Sequence, residues 1–313
     1  MEQLNDIRKR IRSVTDIQQM TRAMQLISAV KMRNARTQLE RAMPFFTRCA
    51  ATMIDIENSE TRLQDRFFTL RQKKEGETWK IAYFVMTGDQ GLAGAYNLNV
   101  INTAETYIRE KERENVEKGL STETRLYVCG TIGKDRLIRT GFEVDSDFNY
   151  PIASPTYYRA RDIADFVVDL FDSGKADLVY FIYTRIFSAI SMHPMITRVV
   201  PVNTVALQQL VPPEEGASYR AINPDEPVEY FPDAGAVLDY LTDTYLNGMI
   251  YGILAEAFAS EQTARMMAMD NATKSAKEML DELTLRSNQA RQARITSELT
   301  EIVNGANTIS ESD

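Results

Sequence analysis

Apolar residues at the start of the chain fall at Leu4, Ile7, Ile11, Val14, Ile17, Met20, Met24 and Ile27. Steps of three and four place them on one face of a helix, and the pattern predicts a helix over about residues 3–58. The first glycine is Gly76 and the only early proline is Pro44, which bends or loosens the helix where it removes a backbone hydrogen bond. At 1.5 Å per residue such a helix is about 80 Å long. The other end repeats the pattern. Residues 233–303 contain no proline, and apolar side chains recur at Val237, Leu241, Tyr245, Met249, Leu254, Phe258, Met266, Met269, Met279, Leu283, Ile295, Leu299 and Ile302. Gly235, Gly248 and Gly252 weaken this helix by roughly 1 kcal/mol each relative to alanine, and they also let a neighbouring helix come close. Asp233 after Pro232 reads as its start and Gly305 as its stop, which makes it about 100 Å long.

A compact globule of this chain length is roughly 50 Å across, so neither helix fits inside one. Two long striped helices at opposite ends of a chain bury their faces most simply against each other, as an antiparallel coiled coil projecting from what lies between. Gln18, Thr21 and Gln25 fall where a strict heptad continued from Leu4 calls for apolar residues, which predicts an irregular supercoil with stutters. The middle has a different texture: strand-like runs at 79–87, 125–129, 177–186 and 196–202 alternate with helical stretches at 96–118, 131–140 and 158–172. That alternation predicts a small α/β sheet domain. The division expected is a helix over 1–58, a link over 59–78, an α/β domain over 79–211, a second link over 212–232, a helix over 233–305 and a tail over 306–313. The second link is rich in Pro, Glu and Asp.

The 36 Lys and Arg against 44 Asp and Glu leave a net charge of −8, which argues against a general nucleic-acid binder. No apolar run reaches the roughly 20 residues needed to span a bilayer, and the opening MEQLNDIRKR lacks the apolar core of a secretory signal. A cytoplasmic location, or one on the membrane's cytoplasmic face, is expected. Cys49 and Cys129 lie far apart in helical and strand-like contexts and read as free buried thiols. His193, the only histidine, is followed by Pro194 and belongs at a strand edge or turn rather than in a histidine-rich metal site.

Three glycines, Gly88, Gly91 and Gly94, follow the first strand in T-G-D-Q-G-L-A-G-A-Y-N, where a backbone can approach phosphate ahead of a helix. The spacing is not that of a dinucleotide fingerprint, and no acidic residue follows the next strand to hold a ribose. A tight strand-to-helix turn is the better reading. Gly130 and Gly133 in G-T-I-G-K-D lack the spacing and the hydroxyl residue of a P-loop. Neither a catalytic grouping nor a metal-ligand set emerges, so no cofactor is expected. Charge says more: the first 50 residues hold ten Lys and Arg against Glu2, Asp6, Asp16 and Glu40, a basic helix in an acidic chain that favours an acidic neighbour. The Met-rich stretch at 264–273 reads as ordinary coiled-coil core. Residues 290–305 extend beyond the reach of the first helix, leaving Ile295, Leu299, Ile302 and Val303 as an apolar stripe that needs another protein.

Both ends then resemble a known family. Ile7-Arg-Lys-Arg-Ile-Arg-Ser-Val14, Met20-Thr-Arg-Ala-Met24 and Ser28-Ala-Val-Lys-Met-Arg33 are similar to the first helix of the gamma subunit of bacterial F-type ATP synthases. The runs at 259–269 (ASEQTARMMAM), 290–292 (ARQ) and 295–303 (ITSELTEIV) resemble its last helix, and Gly91-Leu-Ala-Gly94 with Asn97 resembles its central glycine turn. The resemblance implies an antiparallel coiled coil carrying a Rossmann-like α/β domain. It implies a non-catalytic central-stalk rotor turned by ion flow inside a ring of three alpha and three beta subunits. The implied partners are alpha, beta, epsilon and the membrane c-ring, on the cytoplasmic face of the bacterial plasma membrane, with nucleotide bound by alpha and beta and not by this chain. Carried over by position, Arg291, Gln292 and Thr296 resemble polar contacts with a beta-subunit loop, and Met24 and Arg265 match positions tied to energy coupling. The chain departs from the family at Ala93, Ser275, Arg294 and Ser297, and it lacks the paired regulatory cysteines of chloroplast forms. Composition and periodicity alone fit two other readings: a coiled-coil adaptor displaying an α/β domain, and a nucleotide-dependent enzyme using Gly88 to Gly94.

Overall fold

The computed structural model describes residues 4–58, 67–74, 76–188, 191–203, 207 and 229–310. It divides into two compact units, one of residues 1–29 with 265–313 and one of residues 30–264. The expected link over 59–78 falls partly outside the described residues, and that over 212–232 almost wholly outside them.

The first helix, α1, is Leu4–Asn58 with Pro44 inside it. The final helix, here α5, is Ala234–Ser310. Asp233 starts α5 as expected, its Oδ1 accepting the Ala236 N–H at 2.9 Å. Gly305 does not end it. A glycine lowers helix propensity by about 1 kcal/mol without forcing a turn, and no proline follows to stop the helix. Gly248 does what close approach requires, because a Cβ there would run into the Phe46 ring of α1.

Between the helices lie β1 (Thr78–Met86), α2 (Tyr96–Glu117), β2 (Ser121–Cys129), α3 (Thr131–Arg139), α4 (Tyr157–Asp172), β3 (Leu178–Ile186) and β4 (Met192–Val200). The sheet order is β2-β1-β3-β4; β1 runs parallel to both β2 and β3, and β4 is antiparallel to β3. Alternation along the strands sorts the core into two layers. Ile81, Tyr83 and Val85 pack with Val100, Ala104 and Ile108 of α2 and Leu137 of α3. Ala82, Phe84 and Met86 face Ile163, Val167 and Phe171 of α4, together with Phe46, Ala50 and Met53 of α1 and Leu246, Ile250 and Leu254 of α5. Phe84 stacks between two register partners, Tyr127 of β2 at 4.9 Å and Phe181 of β3 at 4.6 Å, an aromatic row across three strands.

Both cysteines are free and buried. Burial pushes the Cys129 thiol up to about 12, with Asp89 adding to the effect, and burial likewise raises Cys49, so neither is a reactive thiolate. His193 lies on the edge strand β4, its Nε2 3.0 Å from Ser191 Oγ. The hydroxyls of Thr242 and Tyr245, both buried on α5, have no hydrogen-bond partner among the described residues.

Part of the first expected link is pinned to the sheet. Asp177, only 3% exposed, receives the Lys73 ammonium at 2.8 Å, the Arg71 guanidinium at 3.1 Å and the Lys80 N–H at 3.0 Å. Arg71 also caps the Phe171 ring and donates to the Phe171 carbonyl at 2.8 Å. Burial by itself raises the Asp177 carboxyl; the Lys73, Lys80 and Arg71 donors outweigh it and hold the group below the usual aspartate value. A carboxyl depressed in the folded state adds stability above its unfolded pKa, near 4, and loses it as pH falls through the folded value. Asp177→Asn should therefore lower stability at pH 7 by about 2 kcal/mol and flatten the acid limb of the stability profile. Urea unfolding at pH 7 and below pH 4 checks both effects.

Candidate functional site

The first unit is the pair formed by the start of α1 and the end of α5. On α1 the covered positions include Ile7, Ile11, Val14, Gln18, Thr21, Gln25 and Ser28, an unbroken alternation of four and three, with Thr15 and Met24 partly covered beside it. The stutter expected at Gln18, Thr21 and Gln25 is absent, while the apolar Ile17, Met20 and Ile27 are exposed. On α5 the matching seam is Met269, Thr273, Ala276, Leu280, Leu283, Ser287 and Ala290.

Polar residues hold these seam positions because they pair across it. Thr21 Oγ1 and Thr273 Oγ1 are 2.8 Å apart. Each hydroxyl has one proton, and Thr273 Oγ1 also lies 2.8 Å from the Met269 carbonyl against 3.1 Å between Thr21 Oγ1 and the Gln18 carbonyl. Either hydroxyl can donate across the seam, the other then donating to the carbonyl of its own helix. One turn along, Gln25 Nε2 donates to Asp270 Oδ1 at 3.0 Å, and Lys274 reaches the same carboxylate at 2.6 Å. The Lys274 hydrogen bond is the main cause holding Asp270 below the ordinary value.

This register sorts the residues singled out by sequence into two groups. Met24 is half-buried beside Gln25, and Arg265 is buried on α5 about a turn and a half from that level. Arg291, Gln292 and Thr296 are all exposed, about 40 Å further along α5 from Arg265, so the five do not form one site. Thr296 Oγ1 donates to the Gln292 carbonyl at 3.0 Å, and Arg294 pairs with Glu298 at 2.7 Å. The pairing of Thr21 with Thr273 sets Leu4 level with about residue 290, so α1 offers no cover beyond that point. Residues 291–304 are exposed throughout, Ile295 at 48%, Leu299 at 57%, Ile302 at 67% and Val303 at 56%. The expected apolar stripe is present.

In the second unit the glycine motifs are structural. The Gly88 N–H donates to Asn97 Oδ1 at 2.7 Å, and Leu92 (φ 63°) and Gly94 (φ 56°) turn the chain from β1 into α2. Gly130 and Gly133 leave room for Thr87, which donates to the Cys129 carbonyl at 2.8 Å and accepts the Gly133 N–H at 3.1 Å. Outside these strand ends stands α5, with Ser260, Glu261, Gln262 and Thr263 all buried. The sequence did not single out Ser260 and Glu261, although four successive polar residues in a largely apolar stretch of helix are a visible sign of specific partners. No group of His, Cys, Asp and Glu suited to a metal occurs among the described residues.

Residues 3–309 match the model of a family described as ATP synthase. The ATP synthase gamma chain of Ruminiclostridium cellulolyticum is 42% identical over 306 residues, covering 98% of each chain. That of Acetivibrio thermocellus is 37% identical over 98% of this chain and 99% of the relative. The sodium-ion-specific ATP synthase gamma chain of Acetobacterium woodii is 32% identical over 97% and 98%. In fold, the chain resembles one from the rotational-state-3 structure of Euglena gracilis mitochondrial ATP synthase, with a TM-score of 0.59, 14% identity and coverage of 98% and 94%. It also resembles one from the central stalk and c-ring of the Tetrahymena thermophila enzyme, with a TM-score of 0.52, 21% identity and coverage of 81% and 99%.

The polar seam yields a stability prediction. Thr21→Val with Thr273→Val removes both hydroxyls together and leaves an apolar contact of the same shape, so the double variant should match or exceed the wild-type melting temperature. Thr21→Val alone leaves Thr273 bonded to its own helix and should cost less than about 1 kcal/mol. Thermal unfolding of the four chains in a double-mutant cycle reads the coupling.

Proposed function

The chain belongs to the ATP synthase gamma-chain family, and from that premise we propose that it works as the central rotor shaft of an F-type ATP synthase, coupling ion flow to ATP synthesis on beta subunits. The observation that carries the reading is the end of α5: a helix with an apolar stripe that nothing among the described residues covers, in a protein matched to that family along its length. Such a stripe needs a surrounding bearing, and a ring of alpha and beta subunits supplies one. The adaptor reading has no comparable observation in its favour.

A shaft catalyses nothing by its own side chains. Each beta site changes affinity only in so far as it contacts the shaft differently at each rotary position, and the coupling free energy is the difference between those contacts. Arg291 and Gln292 have the exposure such a contact requires, and Thr296 lies one turn on with its hydroxyl held by its own helix. Arg265 is buried, so its role in coupling is to fix the helix rather than to touch a beta subunit. The basic first helix suits acidic surfaces of the ring. Nucleotide is assigned to alpha and beta, since here α5 stands at the strand ends where an α/β domain receives it. No described helix is long and apolar enough to cross a membrane, which accords with peripheral attachment through epsilon and the c-ring. The choice of proton or sodium is made in that ring.

Co-expression with alpha and beta subunits, followed by subunit counting and an ATPase assay, tests the assignment. One copy of this chain per three alpha and three beta, with ATPase activity that depends on it, is expected; a chain that stays outside the ring overturns the reading. Arg291→Ala should leave that stoichiometry intact and lower gradient-driven ATP synthesis in vesicles by about threefold or more, the loss of one charged contact. Unchanged synthesis would remove Arg291 from the contact surface.

A further inference from the structure

An open α/β sheet receives ligands outside the carboxyl ends of its strands, where successive connections leave in opposite directions. With the order β2-β1-β3-β4 that point lies between the ends of β1 and β3. Here the place is taken by about two turns of α5. Ala257, Ser260, Glu261 and Ala264 share one face of that helix by spacing. Each meets a different wall of the crevice. The Ala257 carbonyl accepts the Tyr96 hydroxyl, from the start of α2, at 3.1 Å. Ser260 Oγ donates to the Thr184 carbonyl near the end of β3 at 2.8 Å, with both residues buried. The Glu261 carboxylate lies against Gly88 at the end of β1, so close that a Cβ on Gly88 would come within 2.8 Å of its Oε1. Ala264 packs against the cluster beneath α2. At the rim, Arg185 of β3 pairs with Glu256 at 3.6 Å.

We infer that this filled crevice is the torsional key of the rotor, in which Tyr96, Ser260 and the Gly88–Glu261 contact fix α5 against turning about its own axis in the sheet. The inference rests on the rotor reading. A helix held only by an apolar stripe can roll, because one methyl replaces another at little cost; a helix bonded to α2 and to β3 on one face, with Glu261 seated against Gly88, resists rolling, because a roll breaks buried bonds that water does not replace. Torque delivered to the α/β domain therefore enters α5 here and passes on through a helix that continues to Ser310. Tyr96, Ser260 and Glu261 are positioning residues: they touch no nucleotide and act through the angle at which α5 is held.

The test uses the assembled complex with alpha and beta, immobilised by the ring, carrying a rod on the α/β domain, and stalled with bound nucleotide. The angular variance of the rod measures torsional compliance. Tyr96→Phe with Ser260→Ala should widen that variance about twofold, as for loss of both hydrogen bonds with the Gly88–Glu261 contact left in place, while ATPase activity and subunit ratio stay at wild-type values. Gly88→Ala, which drives the Glu261 carboxylate away, should act in the same direction. Tyr245→Phe is the control, since that buried hydroxyl on the same helix has no partner among the described residues, and it should leave the variance unchanged. Wild-type variance in an assembled double variant overturns the key, as does equal widening in Tyr245→Phe. Loss of assembly and ATPase together in both the double variant and Gly88→Ala also overturns it, since the contacts would then serve the fold alone. Failure of the rotor reading shows separately, as a wild-type chain that does not join the ring or a rod that does not turn with ATP.

Discussion

Two helices that cannot cover their own apolar faces are the constraint on which the rest depends. Burial on α1 follows a seven-residue repeat, and a repeat of that length satisfies itself only against a second helix. The chain supplies it from its far end. Everything between must leave α1 and return to α5, and in the second unit the sheet is built where both helices share one of its faces with α4. Gly248 against Phe46 marks where the helix backbones need least separation.

The seam is not uniformly apolar. Thr21, Gln25 and Ser28 sit at positions that leucine or isoleucine would fill more stably, and their partners Thr273 and Asp270 are polar as well. Such pairs add little net stability, because each bond replaces one to water. What they add is discrimination: a shift by one heptad takes Thr21 away from Thr273 and Gln25 away from Asp270, and sets the Thr21 hydroxyl against Met266 or Leu280. Strength and uniqueness of register are here supplied by different stretches of the same two helices.

Legibility in the sequence followed the same division. Helix extents, the alternation of strands and helices, the burial of both cysteines and the exposed stripe at Ile295, Leu299 and Ile302 were readable because each depends on the periodicity of local apolar positions. Gln18, Thr21 and Gln25 misled, since a polar residue at a seam position has no signature in one strand of the pair and gains its meaning from residues some 250 positions away. Gly305 misled for a related reason: propensity marks where a helix can end, not where it does. The roles of Ser260 and Glu261 come from strand order, which brings the ends of β1 and β3 together and is not written in any local pattern. Arg291, Gln292 and Thr296 were reached by resemblance alone, because exposed polar residues on a helix carry no intrinsic sign of use.

The uncovered length of α5 also sets an order of events. A lone helix in water is marginal below about 12–15 residues and gains its protection from packing. Amides of α5 between Ala257 and Ala264 are sealed in the crevice at the strand ends, whereas those of residues 291–304 are held only by their own turns. Hydrogen exchange along this one helix thus grades from slow to fast toward its end, with no break in secondary structure to mark the change. Protection of those amides rises when a surface receives them. Isotope uptake in that stretch is a built-in report of whether the shaft has yet been housed.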